Sequence, residues 1–228
     1  MTSPYSLNWA NTSDERHVLN LRERKKRRTR DALLRAALEL FATRGYEETT
    51  VDDIAAAVDV SQRTFFRYFA GKEETAFFVP RLAETLVVEA LRTRPPGEVP
   101  LEALRRAVLE SWDAINEAVA ELVPIDLHLR VYRVIESTPA LLAAHLRRSA
   151  ELEEQLACII AEREGLDVNT DPRPRIVVAL FGGVIRVTER LWSAGDDLTL
   201  DGMRQLTTTY LDQVGPALAG NWRAEQSP

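Results

Sequence analysis

Two hydroxyl residues, Thr50 and Ser61, each stand directly before a short stretch with helically spaced apolar residues, and only a tight turn separates the two stretches. This pattern constrains the chain more than any other. Each hydroxyl is placed to cap the first free amides of a short helix. After Thr50 come Asp52 and Asp53, negative charges in a first turn where the helix dipole favours them, and Val51, Ile54, Ala55 and Val58 form one apolar face. After Ser61 the expected helix covers Gln62 to Phe69, with Phe65 and Phe69 four apart and able to point inward together, and Gly71 ends it. Ahead of both lies a longer apolar face made by Leu33, Leu34, Ala37, Leu38, Leu40 and Phe41, closed by Arg44 and Gly45. This predicts a first helix of about six turns.

Charge divides the chain in two. The full 228 residues carry 29 Lys/Arg against 35 Asp/Glu, a net charge of -6 that argues against nucleic acid as a partner. The average hides a reversal: residues 22–72 hold 12 Lys/Arg against 8 Asp/Glu, and residues 73–228 hold 16 against 25. A basic run containing Arg22, Arg24, Lys25, Lys26, Arg27, Arg28 and Arg30 opens the first helix.

Two short helices behind a helix with a basic start make a helix-turn-helix, in which the second short helix enters the major groove. Gln62 suits adenine, Arg63 suits guanine, and Thr64 offers a methyl and a hydroxyl to a thymine or a phosphate. Phe66 and Arg67 share that face. Arg67, Lys72 and the helix start at Thr50 are placed to hold phosphates and set the register, and Arg28 and Ser61 are further candidates for DNA contact.

The stretch from Gly45 to Glu74, with Thr50, Asp53, Ile54, Ala55, Val58, Val60, Ser61, Thr64, Phe65, Phe66, Tyr68, Phe69, Lys72 and Glu73, resembles the helix-turn-helix of TetR-type bacterial transcriptional regulators. The resemblance implies an all-helical homodimer with an N-terminal DNA-binding domain and a larger C-terminal domain that binds a small molecule and dimerises. Most such proteins repress transcription and leave their operator when the ligand binds. Arg63 stands where glycine is frequent and Phe66 where tyrosine is frequent, so a tyrosine hydroxyl contact to phosphate is missing here.

Beyond Lys72 the pattern stays helical, with no strand alternation and no repeat, so the fold class is all-α. A helix begins at about Lys72, with a bend or break at Pro80, and Arg94-Pro95-Pro96-Gly97 reads as a linker. A long amphipathic helix carries Leu101, Leu104, Val108, Ile115, Val119 and Leu122; a shorter one lies between Pro124 and Ser137; another runs from Pro139 to Gly165. Two more are expected over about 174–194 and 199–218. The division that follows is an arm at 1–21, a DNA-binding domain at 22–71 and a ligand-binding and dimerisation domain at 72–228.

Trp112, His128, Arg130, Tyr132, Arg133, Phe181, Arg186 and Trp192 are candidates to line a ligand pocket, since such pockets are apolar with a few placed polar groups. The segment from Arg133 through Pro139 and Asp171–Arg175 to Trp192 is similar to acyl-CoA-like ligand-binding domains of the mycofactocin-regulator type. That similarity implies a tunnel for an acyl chain, with Arg130, Arg133 or Arg186 for a phosphate or carboxylate. The other reading pairs these arginines with acids such as Glu136 or Glu189, and a planar aromatic effector stays open.

Gly182 and Gly183 in mid-helix each cost about 1 kcal/mol against alanine and call for a close neighbour, a second helix or a ligand. Asp126 and His128 lie two apart and face different sides of a helix, and Cys158 is the only cysteine, so no metal and no cofactor are expected. With no signal-like start and no apolar run long enough to cross a bilayer, a cytoplasmic location is expected. No Gly-x-Ser-x-Gly elbow, phosphate-binding glycine loop or His-Glu-x-x-His helix supports an enzyme. The expected function is a homodimeric, effector-released repressor on a palindromic operator; the alternatives are a DNA-binding protein of the same fold without effector, or an activator.

Overall fold

A computed structural model describes residues 11–119, 123–196 and 199–220, and every regular element among them is helical. The elements are α1 (Asn11–Arg44), α2 (Val51–Ala57), α3 (Gln62–Phe66), α4 (Lys72–Ala76), α5 (Phe78–Thr93), α6 (Pro100–Val119), α7 (Ile125–Ser137), α8 (Pro139–Glu164), α9 (Arg173–Ala194), α10 (Leu200–Asp212) and α11 (Val214–Ala219).

Helix α1 begins at Asn11, well before the basic run. No glycine or proline occurs between Pro4 and Gly45, so nothing in the backbone stops the helix, and residues 11–21, expected as part of an arm, are helical. Residues 1–10 lie outside the described residues. At the other end Gly45 has φ 92°, a conformation that glycine adopts without a Cβ penalty, and its N–H bonds the Phe41 carbonyl at 3.1 Å. The turn between α2 and α3 passes through Asp59 at φ 54°, where a short polar side chain is among the few tolerated.

Three further boundaries differ from the sequence reading, and two of these differences follow from proline. Helix α3 stops at Phe66 and continues as a turn that still brings Phe69 into the core beside Phe65. The break before α5 falls at Phe77, which places Pro80 in the first turn of α5, where its missing N–H has no partner to lose. The last expected helix is split at Gln213, because Pro216 leaves the carbonyl of Asp212 without its usual donor.

The expected linker at 94–97 is a clamped turn joining two packed helices. The Arg94 guanidinium pairs with Glu98 at 2.8 Å and with Glu110, and Arg163 from α8 donates to the carbonyls of Arg94 at 2.7 Å and Pro95 at 2.8 Å. The pairing holds the Glu98 carboxyl below the usual carboxylate range, chiefly through the Arg94 hydrogen bond.

Two cores organise the rest. The first joins Leu33, Leu34, Leu38 and Phe41 of α1 with Ile54, Phe65, Phe69 and Phe77, and it also takes in Leu127, Val131 and Ile135 of α7. The second packs α5, α6, α8, α9 and α10 around Leu91, Leu104, Leu156, Ile160 and Phe181. Helix α7 thus belongs to the first core although it follows α6 in the chain.

Candidate DNA-reading surface and effector cavity

Both short helices are capped as their sequence requires. Thr50 Oγ1 accepts from the Asp53 N–H at 3.1 Å, and Asp53 Oδ2 accepts from the Thr50 N–H at 2.8 Å, a reciprocal capping box. Hydrogen bonds from the Thr50 hydroxyl and amide, with Arg44 nearby, keep the Asp53 carboxyl below its ordinary range. Ser61 Oγ accepts from the Thr64 N–H at 3.2 Å and lies 3.0 Å from Thr64 Oγ1, so the two hydroxyls form one pair at the start of α3.

Gln62, Arg63 and Arg67 are exposed, and Phe66 is 51% exposed with its ring edge-on to buried Phe65. Phe65 and Phe69 anchor the helix below while Gln62, Arg63 and Phe66 stand outward, which is the geometry for groove insertion. Arg67 lies over the Tyr68 ring at 5.0 Å and donates to its hydroxyl at 3.2 Å. The exposed Arg28 stands on α1.

Lys72 has other work than the phosphate contact expected of it. Its Nζ donates to the carbonyls of Tyr46 at 2.8 Å, Thr49 at 2.9 Å and Glu47 at 3.5 Å, and sits 4.2 Å from the Tyr46 ring centroid. An ammonium has three N–H groups, and the loop carbonyls take them. Lys72 locks the loop between α1 and α2 that presents Thr50. Arg30, which sequence reasoning left out of the site, stacks on Phe69 and Phe78 and fixes α1 against the turn after α3 and the start of α5.

Between α5, α6, α7, α8, α9 and α10 lies a cavity of about 180 Å³. Trp112, His128, Tyr132, Phe181, Arg186 and Trp192, all expected at a pocket, line it. Arg130 and Arg133 do not. Arg130 is exposed and pairs with Asp126 one turn back at 3.2 Å. Arg133 donates to the carbonyls of Ser193 at 2.9 Å and Gly195 at 3.0 Å, satisfying orphan groups at the end of α9. Arg130 takes its partner one turn back on α7 itself, and Arg133 is drawn to the end of α9, which packs against α7.

The cavity holds a polar cluster that sequence reasoning missed. His145 Nε2 lies 3.2 Å from the Tyr132 hydroxyl and 3.7 Å from Glu189 Oε2. Burial favours the neutral imidazole, but Glu189, Glu136 and Glu84 more than offset this and keep His145 protonated above its ordinary range. His128 has no such help, and desolvation pushes it down to about 4. The signal for His145 was a polar break in the stripe Leu141, His145, Ser149, Leu152, Leu156 of α8. Gly182 has a reason as well: a methyl there would meet the Glu153 carboxylate that pairs with Arg186. Around Gly183 there is open space.

Helix α7 connects the two sites. Leu127, Val131 and Ile135 are buried in the core of the helix-turn-helix, while His128, Leu129 and Tyr132 border the cavity.

A capped helix-turn-helix on a helical bundle with a ligand-sized cavity defines a DNA-binding regulator. Residues 33–75 match the bacterial regulatory proteins of the tetR family, and residues 98–219 match the MftR C-terminal domain. The chain is 46% identical over 203 residues to the HTH-type transcriptional regulator TcmR of Streptomyces glaucescens, covering 89% of this chain and 90% of that one. It is 31% identical over 166 residues to MftR of Mycobacterium tuberculosis, named as a mycofactocin biosynthesis transcriptional regulator, covering 72% and 79%. A TetR-family regulator structure from Rhodococcus sp. shares the fold with a TM-score of 0.53 at 18% identity, over 82% of this chain and 98% of that one. The chain belongs to the TetR family of DNA-binding transcriptional regulators, a family of regulators and not of enzymes. No helix among the described residues is long and apolar enough to cross a membrane.

Proposed function

We propose that the protein is a homodimeric repressor that binds a palindromic operator and is released by a small molecule bound in the cavity. It acts in the cytoplasm, with residues 22–71 reading DNA and residues 72–228 binding ligand and dimerising. The observation that carries the reading is α7, whose two faces lie in the DNA-binding core and on the cavity wall. A ligand that shifts His128, Leu129 or Tyr132 shifts Leu127 and Val131 with them, because a packed helix moves as a unit. Differential affinity for the two positions of α7 then changes the spacing of two recognition helices on half-sites about 34 to 36 Å apart. A DNA-binding protein without an effector has no use for a cavity that borders this helix.

Gln62, Arg63, Thr64 and Phe66 are the base-reading residues in this scheme. Arg28, Arg67 and the helix starts at Thr50 and Ser61 hold phosphates. The effector is amphipathic; the likeness of the C-terminal domain to MftR suggests an acyl-CoA, although only Arg186 of the three expected arginines borders the cavity.

For the dimer, Ile176, Leu180 and Leu191 are 54%, 38% and 44% exposed and fall with Gly183 and Val187 on one side of α9. A continuous apolar stripe at a glycine without neighbours suits close approach of the same helix from a second copy. Sedimentation of Leu180→Glu tests this: a folded monomer with weakened operator binding is expected, and an unchanged dimer would move the interface elsewhere. The release mechanism is tested by fluorescence anisotropy on DNA from upstream of the protein's own gene, where added effector should lower the bound fraction and leave binding to random DNA unchanged. An operator complex strengthened by the effector would replace repressor release with activation.

A further inference from the structure

The polar groups of the cavity wall carry an inference that rests on the effector reading and specifies how an effector is held. Nearly all of them are spent within the protein. Each lining carboxylate has a cation: Glu84 pairs with Arg148, Glu153 with Arg186 and Glu189 with His145. The hydroxyls are engaged as well. Ser111 donates to the Val108 carbonyl at 2.7 Å, Ser149 donates to the His145 carbonyl at 3.0 Å, and the Tyr132 hydroxyl lies 3.2 Å from His145 Nε2. The Trp192 indole N–H donates to the Thr199 carbonyl at 3.0 Å. These side chains hold one another and are not free to hold a ligand.

Two lining rings make no side-chain hydrogen bond among the described residues, the imidazole of His128 on α7 and the indole of Trp112 on α6. His128 stands on the inner side of its helix. Asp126 and Arg130, two residues to either side, are exposed and pair with each other, and a step of two residues turns His128 about 200° away from them. The ring there keeps part of its surface accessible, and its nitrogens are not sealed as Nδ1 of His145 is. On that side of α7 the accessible space is the cavity.

An imidazole has at least one N–H to donate in any protonation state. Desolvation pushes His128 down to about 4, so near neutral pH its second nitrogen is an acceptor. A polar group kept from water without a partner is costly, and a ligand that supplies the partner recovers that cost. His128 also lies beside Leu127, which is buried in the core of the helix-turn-helix. A group bound by His128 is therefore bound to the helix that runs into the reading head.

We infer that His128 is the polar anchor of the effector: a largely apolar ligand bearing a hydroxyl or carbonyl oxygen is held by a hydrogen bond between that oxygen and the His128 ring. Trp112, Tyr132, Phe181 and Trp192 pack against its apolar body.

Fluorene, 9-hydroxyfluorene and 9-fluorenone share one tricyclic body and differ in a single oxygen function, so they test the anchor. Burial alone favours fluorene, the least polar of the three, and the order of affinities therefore reports the contact. In equilibrium dialysis at pH 7.5 with the full chain, both oxygenated probes are expected to bind about tenfold tighter than fluorene. In His128→Leu both ratios should fall to near one. His128→Gln keeps a donor and an acceptor and should hold the ratios above those of His128→Leu. Trp112→Phe removes the other unpaired N–H. Ratios that survive His128→Leu, that vanish in Trp112→Phe instead, or that do not exceed one in the wild type would each overturn the inference. So would failure of all three probes to bind.

Operator binding is scored in the same samples. Release of DNA by fluorene as readily as by the oxygenated probes overturns the anchor and leaves the repressor reading intact. Oxygenated probes that bind through His128 and leave the operator complex unchanged overturn the effector reading and leave the anchor standing.

Discussion

Replacing Lys72 with methionine keeps the apolar stem and removes the ammonium, so it separates a structural role from a DNA contact. Two strong hydrogen bonds, at 2.8 and 2.9 Å, and the stacking on Tyr46 are lost. A hydrogen bond from a charged donor contributes about 1.5 to 3 kcal/mol, and the cation–π contact about 0.5 to 2 kcal/mol. The ammonium is half-buried, and recovering its hydration offsets part of this, so the net destabilisation expected is about 2 to 4 kcal/mol. For a chain of this length each kcal/mol lowers Tm by about 2 to 4 °C, which gives a fall of about 4 to 16 °C. Calorimetry measures it, and hydrogen exchange at the amides of residues 46–50 should rise in parallel. DNA binding is followed across a salt series at a temperature where both chains are folded. A lost phosphate contact would flatten the salt slope by about one. An unchanged Tm with a flattened slope would refute the structural assignment and return Lys72 to the DNA.

Arg63→Ala should weaken binding at one base position per half-site by about 1 to 3 kcal/mol while leaving random-sequence binding nearly unchanged, read by competition with operator variants. Equal losses on both DNAs would remove Arg63 from base reading. The second expectation concerns pH. His145 is held protonated in the fold beyond its ordinary value of 6.5, so its contribution to stability is complete below that value and is lost as pH rises through the folded-state value. Tm of the wild type should therefore fall relative to Glu189→Gln as pH rises from about 6 to about 8, since the variant removes the main carboxylate facing the ring. His128 is present in both chains and cancels in the comparison. A Tm difference independent of pH would show that Glu189 does not govern the histidine's proton.

Much of the fold is local and was legible for that reason. Thr50 and Ser61 cap because their hydroxyls reach amides three residues on, and Gly45 and Gly165 stop helices because the positive φ they adopt, 92° and 67°, suits glycine. Periodicity placed α6 through α9, and the outward residues of α3 follow once Phe65 and Phe69 are turned inward. Misplaced boundaries such as the split at Gln213 are local too, since Pro216 was visible as a helix breaker.

The partners of long charged side chains were not legible. Lys72 reaches carbonyls more than twenty residues earlier, Arg133 reaches the end of α9 sixty residues on, and Glu84 finds Arg148 across the bundle. A guanidinium reads the same in sequence whether it faces a ligand, a carboxylate or a helix end, because its partner is set by how helices pack and not by its neighbours in the chain. Capping, periodicity and the basic run therefore marked this chain as a helical DNA reader from its residues alone. Which charges stay open to a ligand, and that α7 joins the cavity to the reading head, depended on packing between segments far apart in sequence, where burial and charge pairing outweigh local preference.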